Sequence, residues 1–483
     1  MLPALLLPNL AAMLAMATLA YCLFLYGAGE LFRDSDTGWH IRTGESILAT
    51  RTLPRTDPYS FSKAGEPWID WEWGSDVLMG LAHRVDGLRG VAVLTALSIG
   101  ACSWLWCRLS FAAGGDFLIA ALLAPPMVTT ASLHWLARPH VFGWLFLLAT
   151  MLYLERVRRV GWPSLLAVAG VSAIWANLHA SFFLGPGIAL LYAAGHFLTD
   201  RAKSLRFVWI ALAALAGSFL NPYGWHLHAH VLAYLRNEEL TSRIAEFQSF
   251  NFHDKSATQV ALTMGLGALG VVLALTQRKF AHFLVGSVLL FAALRSARVI
   301  PLVALAVLPL ANGAITQALH GVRRLKMALD YSAGLRAIDA RVNGAIFTVV
   351  ATALMLIALR APAFSQQIGF SAKHYPVRAA ETIAQLPENA RIAATDHFGG
   401  YLIYRYSGTR KVFFDGRSDF YGAEFMQRYF VLNTARPGWR EIVRSFGFTH
   451  ALLPNDSALA DALEHAGWSR LATDPVATLW EAP

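Results

Sequence analysis

Charge is scarce in this chain. Of its 483 residues only 15% are Asp, Glu, Lys or Arg, against 56% apolar, and that balance excludes a soluble globular protein of this length. Cysteine is nearly absent as well. Cys22, Cys102 and Cys107 all fall in or at the ends of apolar runs, so none can staple an exported domain and no disulfide framework is expected. There is no long internal repeat and no low-complexity segment. The C-terminal region has no Gly-x-Gly-x-x-Gly after a strand pattern, which argues against a dinucleotide role. The N-terminal apolar run has neither a basic leading segment nor a small-residue cleavage site, so the first span is expected to be retained, with Met1 in place.

What the chain does have is membrane-length apolar sequence. A helix needs about 20 mostly apolar residues to cross a hydrocarbon core, and eleven stretches qualify, near 8–28, 89–109, 116–134, 139–155, 163–180, 181–198, 206–221, 257–276, 280–296, 299–316 and 343–360. The net charge of +9 does not mark a nucleic-acid partner, because the basic residues stand in short clusters between the apolar runs. They read as topology signals. With the N-terminus inside, the inner loops hold Arg156, Arg158 and Arg159, then Arg201, Lys203 and Arg206, then Arg278 and Lys279, then Arg323, Arg324, Lys326, Arg336 and Arg341. The short outer loops hold only Arg138, Arg295 and Arg298, the asymmetry expected of short cytoplasmic loops.

The fold class expected is therefore an α-helical polytopic membrane protein of about eleven spans over residues 1–360, with a small α/β domain at 361–483. Two further segments face outward, a first loop at 29–88 and a loop at 222–256. In the first loop, 36–50 and 68–84 carry Trp39, Ile41, Ile47, Trp68, Trp71 and Trp73, a pattern of helices lying in the membrane interface. In the C-terminal region, strands are expected at 391–395, 401–406, 411–415 and 450–454, and helices at 377–386, 439–446 and 458–466.

The polar residues gather on the outward side. The first loop opens with Arg33-Asp34-Ser35-Asp36-Thr37-Gly38-Trp39-His40. Carboxylates beside a membrane face are costly to desolvate and need partners or a task. If Thr37 starts a helix, Asp36 and His40 stand a turn apart. Either carboxylate can act as a general base on a hydroxyl, and Asp34 and Asp36 together can hold a divalent cation such as magnesium or manganese. The same residues also suit a solvated loop opening a helix with an acidic first turn. Asp70-Trp71-Glu72-Trp73 is either a sugar platform or an interfacial anchor. Further polar sets stand at the outer span ends: His134 with Arg138 and His140, Asn177 with His179, Asn221 and Tyr223 with His226, His228 and His230, and Arg295 with Arg298. Their coincidence on one face describes a cavity suited to a substrate with hydroxyls and phosphate. The three alternating histidines lack a matching carboxylate or cysteine set for zinc. Asp415-Gly416-Arg417 after a strand reads as a turn held by an Asp–Arg pair.

With these residues in view the chain resembles the GT-C class of membrane glycosyltransferases. It is similar to aminoarabinose and lipopolysaccharide-core sugar transferases and to protein O-mannosyltransferases. The resemblance is carried by Asp36-Thr37-Gly38-Trp39-His40-Ile41-Arg42-Thr43-Gly44-Glu45, Pro54-Arg55-Thr56-Asp57-Pro58, Trp68-Ile69-Asp70-Trp71-Glu72-Trp73, Ala137-Arg138-Pro139, Trp175-Ala176-Asn177-Leu178-His179, Asn221-Pro222-Tyr223-Gly224 and Asp415-Gly416-Arg417, and it spans nearly the whole chain.

That resemblance implies an inverting transfer from a polyprenyl-phosphate sugar to an envelope glycan, lipid or protein on the outer face of a bacterial cytoplasmic membrane. It implies Asp36 as base, Asp34 as its support or a metal ligand, and Arg138, Arg295 and Arg298 as receivers of the lipid phosphate. His40, Asp70, Glu72, His140, Asn177, His179, Asn221 and Tyr223 complete the expected substrate-binding set. Members of the class often place two acids side by side, whereas Ser35 separates Asp34 from Asp36 here. A lipid-linked glycan transporter and a non-catalytic partner in polysaccharide assembly are the rival readings. A transporter would carry midplane ionisable residues and repeated halves, and neither is evident in the sequence.

Overall fold

A computed structural model describes residues 2–483, so Met1 and the expectation attached to it lie outside the described residues. The chain is mostly helical, with one small sheet near its C-terminus. All eleven apolar stretches are helical. Five of these helical segments, Ala4–Leu25, Trp73–Ala112, Phe117–His134, Ala257–Thr276 and Ala297–His320, are long and apolar enough to cross a membrane by length and composition. Trp162–Leu178, Ala180–His196, Phe280–Arg295 and Ala345–Ala358 are shorter apolar helices. Local chemistry sets several helix starts: the side chains of Asn9, Asp116 and Asp200 each accept a hydrogen bond from the first turn they cap. The stretches 163–180 and 181–198 are separate helices, because His179 is extended (φ −161°, ψ 141°) and ends the helix Trp162–Leu178.

The first loop departs from an interfacial layout. Its helix Asp36–Thr50 has the expected bounds, but the second stretch becomes helical only at Trp73 and then runs to Ala112 across a break at Asp86–Gly87. Trp39 and Trp68 are buried, and their rings meet edge to face at 6.1 Å. Trp71 packs on His230 and Tyr234. The residues expected to touch lipid headgroups are instead covered by the rest of the chain.

Over Trp39 and Trp68 the cover is the C-terminal region. Its sheet has the order β1-β2-β4-β3, with β1 (Ile392–Ala394) parallel to β2 (His450–Pro454), and β4 (Ala477–Glu481) antiparallel to both β2 and β3 (Ser469–Thr473). Strands at 391–395 and 450–454 are found as expected. Residues 401–406 are not a strand: Thr395 caps a helix, Asp396–Arg405, by accepting from Phe398 N–H. Residues 411–415 join no sheet, and Val412 instead pairs with the first loop through Phe61 N–H to Val412 O and Val412 N–H to Tyr59 O, both 3.0 Å. Helices Trp439–Phe446 and Ala458–His465 match, whereas Ser418–Asn433 and strands β3 and β4 were not expected. The helix Asp396–Arg405 lies against Asp36–Thr50 so tightly that a Cβ on Gly38 would sit 2.3 Å from Gly400 O. Tyr375 Oη donates to Phe32 O at 2.8 Å, and Arg417 pairs with Asp57 at 2.8 Å. These contacts seat the C-terminal region on the first loop.

Candidate functional site

The turn at Asp34 builds the head of the site. Asp34 Oδ1 accepts the Asp36 N–H at 2.9 Å, which ends the preceding turn and starts the helix Asp36–Thr50. Thr37 Oγ1 donates to Ala137 O at 2.9 Å, and the Ala137 N–H donates to Leu31 O at 2.8 Å. These bonds bring Arg138 over both acids. Its Nη1 lies 2.8 Å from Asp34 Oδ2, and its Nη2 lies 2.8 Å from Asp36 Oδ2. Glu246 stands on the other side, 3.5 Å from Arg138 and 3.6 Å from Arg298. Alternating charges thus run Asp34 and Asp36, Arg138, Glu246, Arg298.

These groups border a cavity of about 1380 Å³. Asp34, Asp36, Asp70, Glu72, Arg138 and His140 line it from the first loop and the Arg138 turn, and His179, Arg295 and Arg298 from the span ends. One arm is apolar, walled by Leu147, Phe183, Leu184, Val288 and Phe291. Phe183, Val288 and Phe291 are also exposed on the flank of the helical bundle, so the arm reaches the side that a bilayer would cover. The opposite wall belongs to the C-terminal region, with Asp396, Gly416, Arg417 and Asp419.

The other expected residues lie outside the cavity and hold its walls. His40 is fully buried, with Nδ1 2.6 Å from Asp76 Oδ1. Asn177 accepts from Trp73 Nε1 at 2.8 Å and donates to Leu220 O at 2.9 Å. Asn221 shapes a turn by accepting the Tyr223 N–H at 2.8 Å. Tyr223 Oη accepts the Asp70 N–H at 3.1 Å. Of the alternating histidines, His228 meets Ser218 Oγ at 2.8 Å while His230 meets Asp419 at 3.1 Å, so they do not converge. The Asp415–Arg417 turn is present: Arg417 Nε donates to Asp415 Oδ1 at 2.8 Å and Nη2 to Oδ2 at 2.7 Å.

Burial tunes the carboxyls unequally. It pushes Asp36 up to about 7 against the pull of Arg138, with Asp34 adding to the rise. It pushes Glu72 up to about 8, opposed by Arg138 and Arg298. Burial acts on Glu246 too, but there Arg298 and Arg138 outweigh it and hold the carboxyl down at about 2. Such spreading of acid strengths within one cavity is a mark of acid–base or charge-binding sites.

The donors do not suit a resident divalent cation. Asp34 and Asp36 both turn an oxygen onto the Arg138 guanidinium, whose positive charge fills the place between them. Among the described residues, no group of three or more His, Cys, Asp or Glu side chains converges.

Glu246 and Asp396 were not expected in the site. Glu246 sits in Ala245–Phe247, a short turn in the 222–256 loop, and the signal available was a single carboxylate between apolar neighbours. Asp396 follows the cap Thr395, in a segment whose flank was read as a strand.

No protein-family model matches the chain, and no curated protein sequence does. Solved structures do. The archaeal oligosaccharyltransferase AglB from Archaeoglobus fulgidus, in complex with an inhibitory peptide and a dolichol-phosphate, matches with a TM-score of 0.57 at 12% identity over 92% of this chain and 69% of that one. The Archaeoglobus fulgidus oligosaccharyltransferase tethered to an acceptor peptide with an NVT sequon gives 0.59 at 12% identity over 92% and 68%. Its complex with Zn and sulfate gives 0.52 at 11% identity over 92% and 68%. At such identity the likeness is one of fold, and the chain shares the architecture of these oligosaccharyltransferases, the GT-C glycosyltransferase fold.

Proposed function

We propose that the protein is a glycosyltransferase that moves a sugar from a polyprenyl-phosphate donor to an envelope glycan, lipid or protein acceptor, by single displacement with inversion. The observation that carries this reading is the placement of Asp34, Asp36, Arg138 and Arg298 at the head of a cavity whose other arm is apolar and opens on the membrane flank. An anionic headgroup on a long apolar tail fits that combination, and two of the structures of like fold hold a dolichol-phosphate and an acceptor peptide.

In the reaction, an acceptor oxygen forms a bond to the anomeric carbon as the bond from that carbon to the phosphate oxygen breaks. Asp36 takes the acceptor's proton. Asp34 holds Arg138 beside it, and Arg138, Arg295 and Arg298 face the charge gathering on the departing phosphate, a role in which preorganised charge is typically the largest catalytic term. Because Arg138 occupies the space between the two acids, no step is assigned to a metal ion. The eleven helical stretches are read as eleven crossings with the N-terminus inside, which places the cavity and the C-terminal region outside, at a bacterial cytoplasmic membrane.

The test is transfer in membranes that supply donor and acceptor. Asp36→Asn keeps size and hydrogen bonding but removes the base, so transfer should fall at least ~100-fold while expression and insertion hold. Near-normal turnover by that variant would remove Asp36 from the mechanism.

A further inference from the structure

Behind the cavity wall the first loop holds a second set of acids that the transfer step above leaves unused. Helix Asp36–Thr50 crosses the start of helix Trp73–Ala112 at close range, since a Cβ on Gly44 would lie 1.7 Å from Asp76 O. That approach sets the buried His40 against Asp76, with Nδ1 2.6 Å from Oδ1. His40 Nε2 then points at Glu72 Oε2, 3.8 Å away, and the other Glu72 oxygen lies 3.4 Å from His179 Nε2. Glu72 lines the cavity, whereas His40 and Asp76 stand behind it.

The tautomers of the two histidines follow from their partners. The Ser181 N–H donates to His179 Nδ1 at 3.1 Å, so the His179 proton is on Nε2 and points at Glu72. His40 Nδ1 shares one proton with Asp76 across 2.6 Å, and with that proton on the ring Nε2 carries a lone pair. That atom is buried and has no donor among the described residues. A lone pair facing a carboxylate oxygen is repulsive, and a buried acceptor without a donor is unfavourable. At 3.8 Å a protonated Glu72 does not hydrogen-bond to that atom, but it removes the repulsion of a full negative charge.

The surroundings favour the same state. Glu72 faces Asp70 and Asp76 within the first loop and its helix, Asp419 from the C-terminal region, His40 and His179, and the cations Arg138 and Arg298. Arg138 is paired to Asp34 and Asp36, and Arg298 to Glu246, so neither cation is paired with Glu72. Burial is the largest influence on the Glu72 carboxyl and raises it to about 8.

We propose that Glu72 works as a neutral carboxylic acid that donates a hydrogen bond to the phosphate of the lipid donor, its proton kept in place by burial beside Asp70 and Asp76 with no cation paired to it. The role rests on the glycosyltransferase reading, because it is the departing phosphate that gains charge and needs a donor. Its neighbours Arg138 and Arg298 supply charge to the same group, and the uncharged acid adds a directed O–H without the repulsion a carboxylate would bring. A carboxyl kept neutral at pH 7 by its setting, so that it can donate, is an established device for stabilising developing anions. The proton stays on Glu72 throughout, so the bonds made and broken in transfer are unchanged.

The test uses the purified full-length protein and undecaprenyl phosphate as probe. Glu72→Gln retains a neutral donor and should bind the probe within about threefold of the parent, whereas Glu72→Ala should bind about tenfold more weakly, the loss expected of a hydrogen bond to a charged group. Parent binding should weaken as the pH rises past about 8, and Glu72→Gln binding should not. If Glu72 is instead a carboxylate, Glu72→Gln will bind more tightly than the parent and the pH dependence will be missing from both, which overturns the proposal. Infrared spectra without any ligand give an independent reading: the protonated-carboxyl band at pH 7 should lose intensity in Glu72→Gln. A band identical in the two proteins contradicts the neutral acid. A band that does change, in a protein that transfers no sugar, would sink the glycosyltransferase reading and leave the Glu72 proton standing.

Discussion

Gly416 stands so close to Asp36 that a methyl group on its Cα would lie 1.9 Å from Asp36 Oδ1. The turn at Asp415–Arg417 in the C-terminal region therefore forms one wall of the slot that holds the proposed base. Gly416→Ala should push the Asp36 carboxylate off Arg138 and lower transfer by about 100-fold, the scale of a misplacement of an ångström in a catalytic group. The bulk of the fold should be untouched, as judged by an unchanged melting temperature. Full activity in Gly416→Ala would show that the slot is looser than the geometry states.

The pH dependence of transfer should carry the mark of Asp36. The residue must be ionised to accept a proton, and burial raises it to about 7 against the pull of Arg138. The rate should therefore climb as the pH rises through about 7, and level off above. Stability runs the other way. In the unfolded chain the carboxyl titrates near ~3.9, so the folded state binds the extra proton between about 4 and 7 and this contribution is lost as the pH rises through that window. A rate profile flat from pH 5 to 9 would contradict the assignment of the base.

Much of this architecture was legible in the residues and some was not. The eleven helical stretches and the helix Asp36–Thr50 stand where apolar run length and the acidic first turn put them, because those signals are local. The strand expected at 401–406 failed because Tyr401 to Tyr406 is rich in aromatic and β-branched residues while Thr395 caps a helix upstream, and capping plus contact with Asp36–Thr50 won. The tryptophans at 39 and 68 look like interface residues by type, and only the tertiary cover supplied by the C-terminal region shows them buried. Glu246 was invisible for a similar reason: its meaning comes from Arg138 and Arg298, which reach it from distant parts of the chain. His40 and Asn177 suit a cavity by residue type. Their hydrogen bonds to Asp76 and Trp73 show that they brace the wall instead.

Arg298 and Glu246 should have opposite effects on binding of undecaprenyl phosphate. Removing the cation in Arg298→Ala should cost ~1.5–3 kcal/mol, the worth of a charge-assisted contact. Glu246→Gln should tighten binding, since its carboxylate otherwise engages the same guanidinium groups at 3.5 and 3.6 Å. Calorimetric titration of both variants checks the pair, and equal affinities would mean that the phosphate does not approach Arg298.

Arg417 ties the C-terminal region to the first loop, pairing with Asp57 at 2.8 Å and Asp415 at 2.7 Å in a buried site. Arg417→Met leaves two buried carboxylates without their cation, a loss of about 3–5 kcal/mol. The C-terminal region should then be released to limited proteolysis while the helices remain inserted. Protease resistance equal to the parent's would show that the other contacts suffice.

The orientation is open to single-cysteine labelling of intact cells, aided by the burial of all three native cysteines. Exposed outer positions Ala64→Cys and Asp456→Cys should react with an impermeant maleimide, and the exposed inner position Ala202→Cys should not. Reaction at Ala202→Cys would invert the assigned topology.

The most direct measurement is a structure of the protein with a polyprenyl phosphate bound. The phosphate should lie at the head of the cavity between Arg138 and Arg298, beside Asp36 and Glu72, with the isoprenoid chain along Leu147, Phe183, Val288 and Phe291. A phosphate bound elsewhere, or a lipid that leaves this cavity empty, would contradict the assignment of a lipid-phosphate glycosyltransferase.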